Sequence, residues 1–285
     1  QSLAVKGIVL HRLDRQKEAA SALRRALEVR PDWPDVLGAL GSVCQAGIRS
    51  AEAVEALERA VELAPGMPSL WSTLGAARRD MRDPEGAETA YKEALRLQPT
   101  NGGVALSLAL VQLRMKKFQE GYRNYERRWE TAAFADQARP HRHRPWAGED
   151  VAGKKILVYA EQGVGDEVMY AGLLQRLIDR GAAVFLEANQ RLVDLFERSM
   201  TGVAVGQSQN PPLPVFTGDD FDFQASSGAL MAQLAPSYDD LKPTAAYLKA
   251  DPAKVAQFCD KYRAAKDGGA APALVVGIAW RSGNP

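Results

Sequence analysis

Cysteine and histidine are scarce in this sequence. Its two cysteines, Cys44 and Cys259, stand far apart, and its three histidines are His11, His141 and His143. Two thiols so placed offer neither a disulfide framework nor the paired spacing of a zinc site, so a reducing, cytoplasmic compartment is the expectation. An excess of charge of one sign is missing too. The 36 basic and 35 acidic residues leave a net charge of +1, which gives no electrostatic footprint for nucleic acid or a membrane surface. The apolar runs are strand-length, too short to cross a bilayer as a helix. What is there is a globular balance, 46% hydrophobic and 25% charged over 285 residues, a length that suits about two domains. The chain starts without Met inside a periodic pattern and stops just after an apolar run, so a fragment of a longer protein is expected.

Proline recurs at Pro31, Pro65 and Pro99, and glycine at Gly7, Gly41 and Gly75, both every 34 residues. The segments "ALRRALEVRP", "ALERAVELAP" and "AYKEALRLQP" align on the prolines. Each carries a small, large, small pattern on one helical face: Ala19, Leu23, Ala26; Ala53, Leu57, Ala60; Ala87, Tyr91, Ala94. Small residues are needed where two helices of a hairpin cross closely, and proline stops the second helix. Period and small positions together resemble the tetratricopeptide repeat. A divergent fourth unit comes next, from about Asn101 to Trp129. There Gly121 and Tyr125 take the small and aromatic positions, and Arg128 stands where the third small residue belongs, so this unit is expected to cap the array. Stacked hairpins present a groove that binds peptides or proteins. Its expected lining is Asp35, Gly38, Ser42, Gln45, Ser69, Ser72, Ala76 and Arg79, with no asparagine ladder or basic clamp to name the ligand. The plainer alternative is that the array only dimerises or spaces the second domain.

A Pro- and Gly-containing stretch, "ADQARPHRHRPWAGEDVAGKK", reads as the domain junction. His141 and His143 alternate with arginines, which repel a cation, so no metal is expected and no cofactor is called for. Trp146 is expected to be a hydrophobic anchor. Next come a strand-like run at 154–161, a helical period at 168–181 stopped by Gly181, a strand at 182–188 and a helix at 190–200. This alternation predicts a parallel sheet with helices on both faces. The region 203–250 is less regular: 207–220 reads as loop, and 221–235 as a short strand, a turn and a helix. Asp251 and Pro252 make a good helix start, the segment 267–273 a hinge, and "LVVGIAW" a buried strand.

The turn after the first strand, "EQGVGDE", poses the functional question. Gly163 and Gly165 suit a phosphate loop, and Glu187 ends the next strand where a ribose ligand would stand. Yet Val168 replaces the third glycine of a dinucleotide fingerprint. Asp166 and Glu167 would also repel a pyrophosphate at the helix start. The other reading is that Asp166 points into a cleft from a helix N-terminus and takes a proton from an attacking hydroxyl. Against that stands a simple N-cap role, and the spacing alone leaves the two open.

The stretches "RPWAGEDVAGKKILV", "EQGVGDEVMYAGLLQRLIDRGAAVFLEANQRLVDLF", "FQEGYRNYERRWE" and "VGIAWRSGNP" together resemble a bacterial family. It joins tetratricopeptide repeats to a glycosyltransferase-like region related to the lipopolysaccharide heptosyltransferases. The resemblance implies a GT-B architecture, with two Rossmann-like domains across a cleft. The implied organisation is a repeat array at 1–133, a linker at 134–153, an acceptor-side α/β domain at 154–271, and at 272–285 the first strand of a truncated donor domain. The fold class is thus α + α/β. Asp166, in the Gly165-Asp166 motif, is implied as base. Glu161, Gln162, Gly163 and Gly165 are implied at the substrate, and Arg281, Ser282, Gly283 and Asn284 at the donor phosphates. The implied activity is sugar transfer from a nucleotide-sugar to an acceptor hydroxyl, on a protein such as a flagellin. The fragment itself, lacking most of the donor half, is expected to be inactive. A rival reading is a non-enzymatic scaffold with a degenerate α/β domain.

Overall fold

The structure is a computed structural model that describes residues 2–46, 50–135, 143–161, 163–209, 213–217, 220–241 and 246–264. It separates into two compact units. One is Gln1–Arg139 with Ala235–Asp240, and the other is Pro140–Leu234 with Leu241–Pro285.

The first unit is a run of antiparallel helices: α1 (Ser2–Arg12), α2 (Gln16–Val29), α3 (Pro34–Ala46), α4 (Ser50–Leu63), α5 (Pro68–Asp80), α6 (Pro84–Leu97), α7 (Gly102–Arg114) and α8 (Phe118–Tyr125). They pack in pairs, and each first helix also packs on the hairpin before it. All nine small and large positions read from the repeat are at most 5% exposed. The recurring glycine faces the large residue of its own hairpin. A Cβ on Gly7 would come within 2.5 Å of Leu23 Cγ, one on Gly41 within 2.4 Å of Leu57 Cγ, and one on Gly75 within 2.7 Å of Tyr91 Cδ1. The hairpin turns repeat as well. Asp14, Arg82 and Lys116 all have φ near +60°. The next residue closes the helix in each: Arg15 N–H donates to Leu10 O, Asp83 N–H to Arg78 O and Lys117 N–H to Gln112 O. This is the pattern of a Schellman C-cap. The periodic apolar pattern does not register it, because three different polar residues occupy the left-handed position.

The fourth unit departs from the others. α8 is only eight residues, where α2, α4 and α6 have fourteen. A 3₁₀ turn (Glu126–Glu130) and a short α9 (Ala132–Ala135) complete it. Arg128 lies in that turn and is fully buried. Its guanidinium sits 4.2 Å from the Tyr125 ring centroid and 4.4 Å from that of Trp129. Nη1 donates to Tyr125 O at 2.9 Å and Glu126 Oε1 at 2.7 Å. A long cation cannot occupy an alanine site within a helix crossing. Here the helix ends first and the cation is stacked between rings. The junction between units three and four is also polar. Buried Glu88 accepts from Gln112 Nε2 at 3.2 Å and Lys117 Nζ at 2.5 Å, and Gln112 Oε1 accepts from Asn124 Nδ2 at 2.8 Å.

The second unit contains β1 (Lys155–Tyr159), α10 (Val164–Ala171), α11 (Leu174–Asp179), β2 (Ala183–Ala188), α12 (Val193–Ser199), β3 (Val203–Gln207), α13 (Pro214–Thr217), β4 (Phe223–Ser226), α14 (Ala229–Leu234), a 3₁₀ turn (Asp239–Leu241) and α15 (Pro252–Ala264). The strands form a fully parallel sheet in the order β3-β2-β1-β4. β1 is central and wholly apolar at Ile156, Leu157 and Val158, all buried, as a strand covered on both faces must be. Trp146 is 5% exposed. Its backbone N–H donates to Gln224 O on β4 and its indole N–H to Glu149 O.

Three sequence expectations need correction. The helix expected over 168–181 begins at Val164 and breaks between α10 and α11, because capping at Gly163 rather than apolar period fixes its start. β3 lies in a stretch read as irregular. It is an edge strand with incomplete burial, and Gly206 hides its pattern because Phe216 occupies the space of a side chain there. α13 falls inside a segment read as loop. The expected strand "LVVGIAW", the hinge before it and His141 lie outside the described residues.

Candidate functional site

The sheet order reverses at β1: β2 and β3 lie on one side and β4 on the other. In open parallel sheets, ligands bind outside the carboxyl ends of the strands at such a switch point. The turn containing Gly163 and Gly165 leaves β1 at this edge and enters α10. The glycine turn read from the sequence therefore sits at the switch point of the described sheet.

Three carboxylates surround the turn, and each has a distinct task. Glu161, 7% exposed, accepts at Oε1 from Gly228 N–H at 2.6 Å, which ties the exit of β1 to the loop after β4. Glu167, 6% exposed, accepts at Oε2 from Asn189 N–H at 2.8 Å, which ties α10 to the exit of β2. The turn is thus held from both neighbouring strands. Burial pushes the Glu167 carboxyl above its ordinary pKa. The Asn189 hydrogen bond acts against that rise and the adjacent Asp166 charge adds to it. Asp166 is the half-buried third member, at the third position of α10. Its Oδ2 accepts from Gly163 N–H at 3.3 Å, while its own N–H and that of Glu167 donate to Gly163 O. This is one half of a capping box; Gly163 has no side chain to supply the other.

Gly163 and Gly165 are exposed at the edge. Gln162, Arg281, Ser282, Gly283 and Asn284 lie outside the described residues. Behind the turn is a cavity of about 10 Å³, lined by Val158, Ala160, Glu167, Tyr170, Leu174 and Ser227 among others. That is room for about one water, so a ligand at this edge would lie in front of the turn. Glu187 is fully buried, so its carboxylate does not reach outward to a ribose. Among the described residues no three His, Cys, Asp or Glu side chains could hold a metal ion. No described helix is long and apolar enough to cross a membrane.

On the array, the expected groove residues lie on α3 and α5. Asp35 and Ser69 are exposed. Ser42 and Ser72 turn their hydroxyls back onto Gly38 O at 3.1 Å and Ser69 O at 3.3 Å. Gln45 Nε2 donates to Asp80 Oδ2 at 2.8 Å, and Arg79 Nη2 to Asp80 Oδ1 at 2.9 Å. Asp80 therefore joins the two helices, a role the residue-by-residue reading missed although its spacing from Gln45 was available. Gly38 is not lining but packing: it is buried, and a Cβ there would come within 2.4 Å of Leu70 Cδ2.

Residues 68–101 match the tetratricopeptide repeat family. That segment holds α5, α6 and their turn, so this hairpin matches a tetratricopeptide repeat, and the hairpins before it carry the same small and large positions. Protein FlbA of Caulobacter vibrioides is 30% identical over 292 residues, covering 96% of this chain and 48% of FlbA. The chain thus spans about half the length of that curated relative. Among solved structures, MamA has a TM-score of 0.44 at 18% identity, covering 48% of this chain and 80% of MamA. The Sgt2 repeat domain from Aspergillus fumigatus has a TM-score of 0.39 at 25% identity, covering 41% and 78%. The first repeat domain of Spaghetti (RPAP3), solved with an HSP90 peptide, has a TM-score of 0.39 at 23% identity, covering 40% and 90%.

Proposed function

We propose that this chain couples a protein-binding repeat array to the acceptor-side half of a nucleotide-sugar-dependent glycosyltransferase. The observation that carries the reading is the placement of the Gly163–Asp166 turn at the switch point between β1 and β4. There a half-buried carboxylate stands at an exposed glycine edge. In this reading an acceptor hydroxyl attacks the anomeric carbon of the sugar, the nucleoside diphosphate leaves with its bond electrons, and Asp166 takes the hydroxyl proton. Glu161 and Glu167 hold the turn in place. In this reading the donor is bound by a second domain that begins in 272–285, with Arg281, Ser282, Gly283 and Asn284 the candidate ligands of its phosphates. The face of α3 and α5 recruits the acceptor, a protein such as a flagellin, in the cytoplasm.

One observation favours the scaffold alternative. The Asp166 carboxylate already has a helix-capping bond to Gly163 N–H, and a cap needs no catalysis. A thermal-shift screen of nucleotide-sugars on the full-length protein separates the two. Stabilisation by one nucleotide-sugar class, absent in the 285-residue chain, supports the transferase. A full-length protein indifferent to every nucleotide-sugar supports the scaffold.

A further inference from the structure

The helical stretch that follows β1 breaks without a breaker. No proline stands in 164–179. Gly172, at the break, has φ −59° and ψ −18°, so the turn there does not call on the left-handed freedom of glycine. The backbone bonds are rerouted all the same: the N–H groups of Gly172 and Leu173 both go to Tyr170 O. In an unbroken helix the Gly172 N–H would go to Val168 O. Val168 O accepts instead from the Tyr247 hydroxyl. The Tyr247 ring lies on Gly172, where a Cβ would come within 3.3 Å of Tyr247 Cε1. A side chain inserted into the hydrogen-bond ladder is one of the few causes of a sharp helix break, and the glycine makes room for one.

Tyr247 opens a short strap. Two residues on, Lys249 N–H donates to Ser199 Oγ at 2.9 Å, and Lys249 O accepts from Arg198 Nε at 2.8 Å, both at the end of α12. The steps from β1 to β2 and from β2 to β3 run the same way across the sheet. Right-handed crossovers therefore put α10, α11 and α12 on one face, and the strap ties them there. Val168 stands two residues after Asp166, so the strap grips α10 close to the candidate site. We propose that Tyr247 is a positioning residue for the Gly163–Asp166 turn. By holding Val168 O it keeps α10 short and aimed apart from α11, and so directs the Asp166 carboxylate at the sheet edge. A continuous helix would have to follow the axis of α11. The structural half of the proposal stands on these contacts. That the direction serves proton removal rests on the transferase reading.

Tyr247→Phe keeps the ring on Gly172 and removes the donor. In the 285-residue chain, hydrogen exchange read amide by amide should show Gly172 slowed about 10-fold as its N–H returns to Val168 O. The Gly163 amide, held by Asp166 Oδ2 at 3.3 Å, should quicken as α10 is re-aimed. Ser199→Ala cuts the strap at α12 and should leave both amides unchanged. In the full-length protein, Tyr247→Phe should lower turnover about 10-fold at an unchanged acceptor KM, a split that a general loss of folded protein does not mimic once active protein is counted. Unchanged amides in Tyr247→Phe overturn the proposal, as does a Ser199→Ala chain in which they move as far. Altered amides with parental turnover overturn the positioning role. A full-length parent that transfers no sugar fails the transferase reading instead, and the two amides still decide what sets the turn.

Discussion

Gly41 and Leu57 occupy one space: a Cβ at Gly41 would lie 2.4 Å from Leu57 Cγ, and Leu57 is fully buried. Gly41→Ala should therefore overpack the second hairpin and cost ~1–3 kcal/mol. Leu57→Ala should cost ~2–5 kcal/mol through the cavity it leaves. The double variant should cost clearly less than the sum, because the new methyl enters the vacated volume. Urea denaturation of the four proteins gives the cycle. Additive costs would mean that the helices part rather than compete for space.

Arg82 carries a side chain at φ 61°, where L residues other than glycine lose roughly 1–2 kcal/mol. Glycine there removes that strain but loses ~0.5–1 kcal/mol to the flexibility of the unfolded chain. Arg82→Gly should leave the melting temperature unchanged or slightly raised, while Arg82→Val should lower it clearly. A valine variant as stable as the parent would refute the strain.

Glu88 sets a pH dependence at the last junction. Burial alone would raise its pKa, but hydrogen bonds from Lys117, Lys92 and Gln112 outweigh burial and bring it to about 2. A carboxyl depressed in the folded state stabilises above its unfolded pKa and loses that contribution as pH falls through the folded value. The window thus runs from about 4.5 down to about 2. With both lysines partly exposed, the contribution at neutral pH should be roughly 1–3 kcal/mol. Glu88→Gln should remove most of the acid sensitivity of the junction in that window, read as urea midpoint against pH.

Glu167 behaves in the opposite sense. Its raised pKa means that its protonated form suits the fold, so its contribution is full below the ordinary carboxylate range and is lost as pH rises through the raised value. Glu167→Gln keeps an oxygen for Asn189 N–H and never ionises. It should melt at or above the parent at neutral pH, with the difference closing in acid. Glu167→Ala loses the tie and should cost about 1–3 kcal/mol. A glutamine variant that melts like the alanine one would show that the charge itself is needed.

Asp166→Asn separates base from cap. The amide still accepts from Gly163 N–H, so stability should change by less than ~1 kcal/mol. As a base, Asp166 should contribute ~10²–10⁴-fold, so transfer by the full-length protein should fall by that factor, in turnover more than in acceptor affinity. An asparagine enzyme with parental rate and melting temperature would leave Asp166 a cap alone.

The array was legible because its signal is redundant. Ala19, Leu23 and Ala26 recur twice more, and Gly41 repeats the role of Gly7 and Gly75. The β1 and β2 strands were legible for their apolar runs, and β4, which is half polar, only as a short strand within 221–235. β3 was not, since an edge strand is half exposed and Gly206 trades its side chain for Phe216. At the candidate site the sequence showed which acids are present but not where they point. Glu161 and Glu167 are held by backbone N–H groups of Gly228 and Asn189, far along the chain. No local pattern announces such partners.

The buried polar contact at Glu88 makes the order of the hairpins matter. Positions 34 and 68 residues earlier carry Val54 and Ala20. A chimaera that joined the fourth hairpin directly to the second would set Gln112 and Lys117 against valine. It would strand a buried amide at a cost of about 1–3 kcal/mol. The repeats look like copies, yet this last one fits a single neighbour, and shuffling or shortening the array would tell against it before any partner was offered.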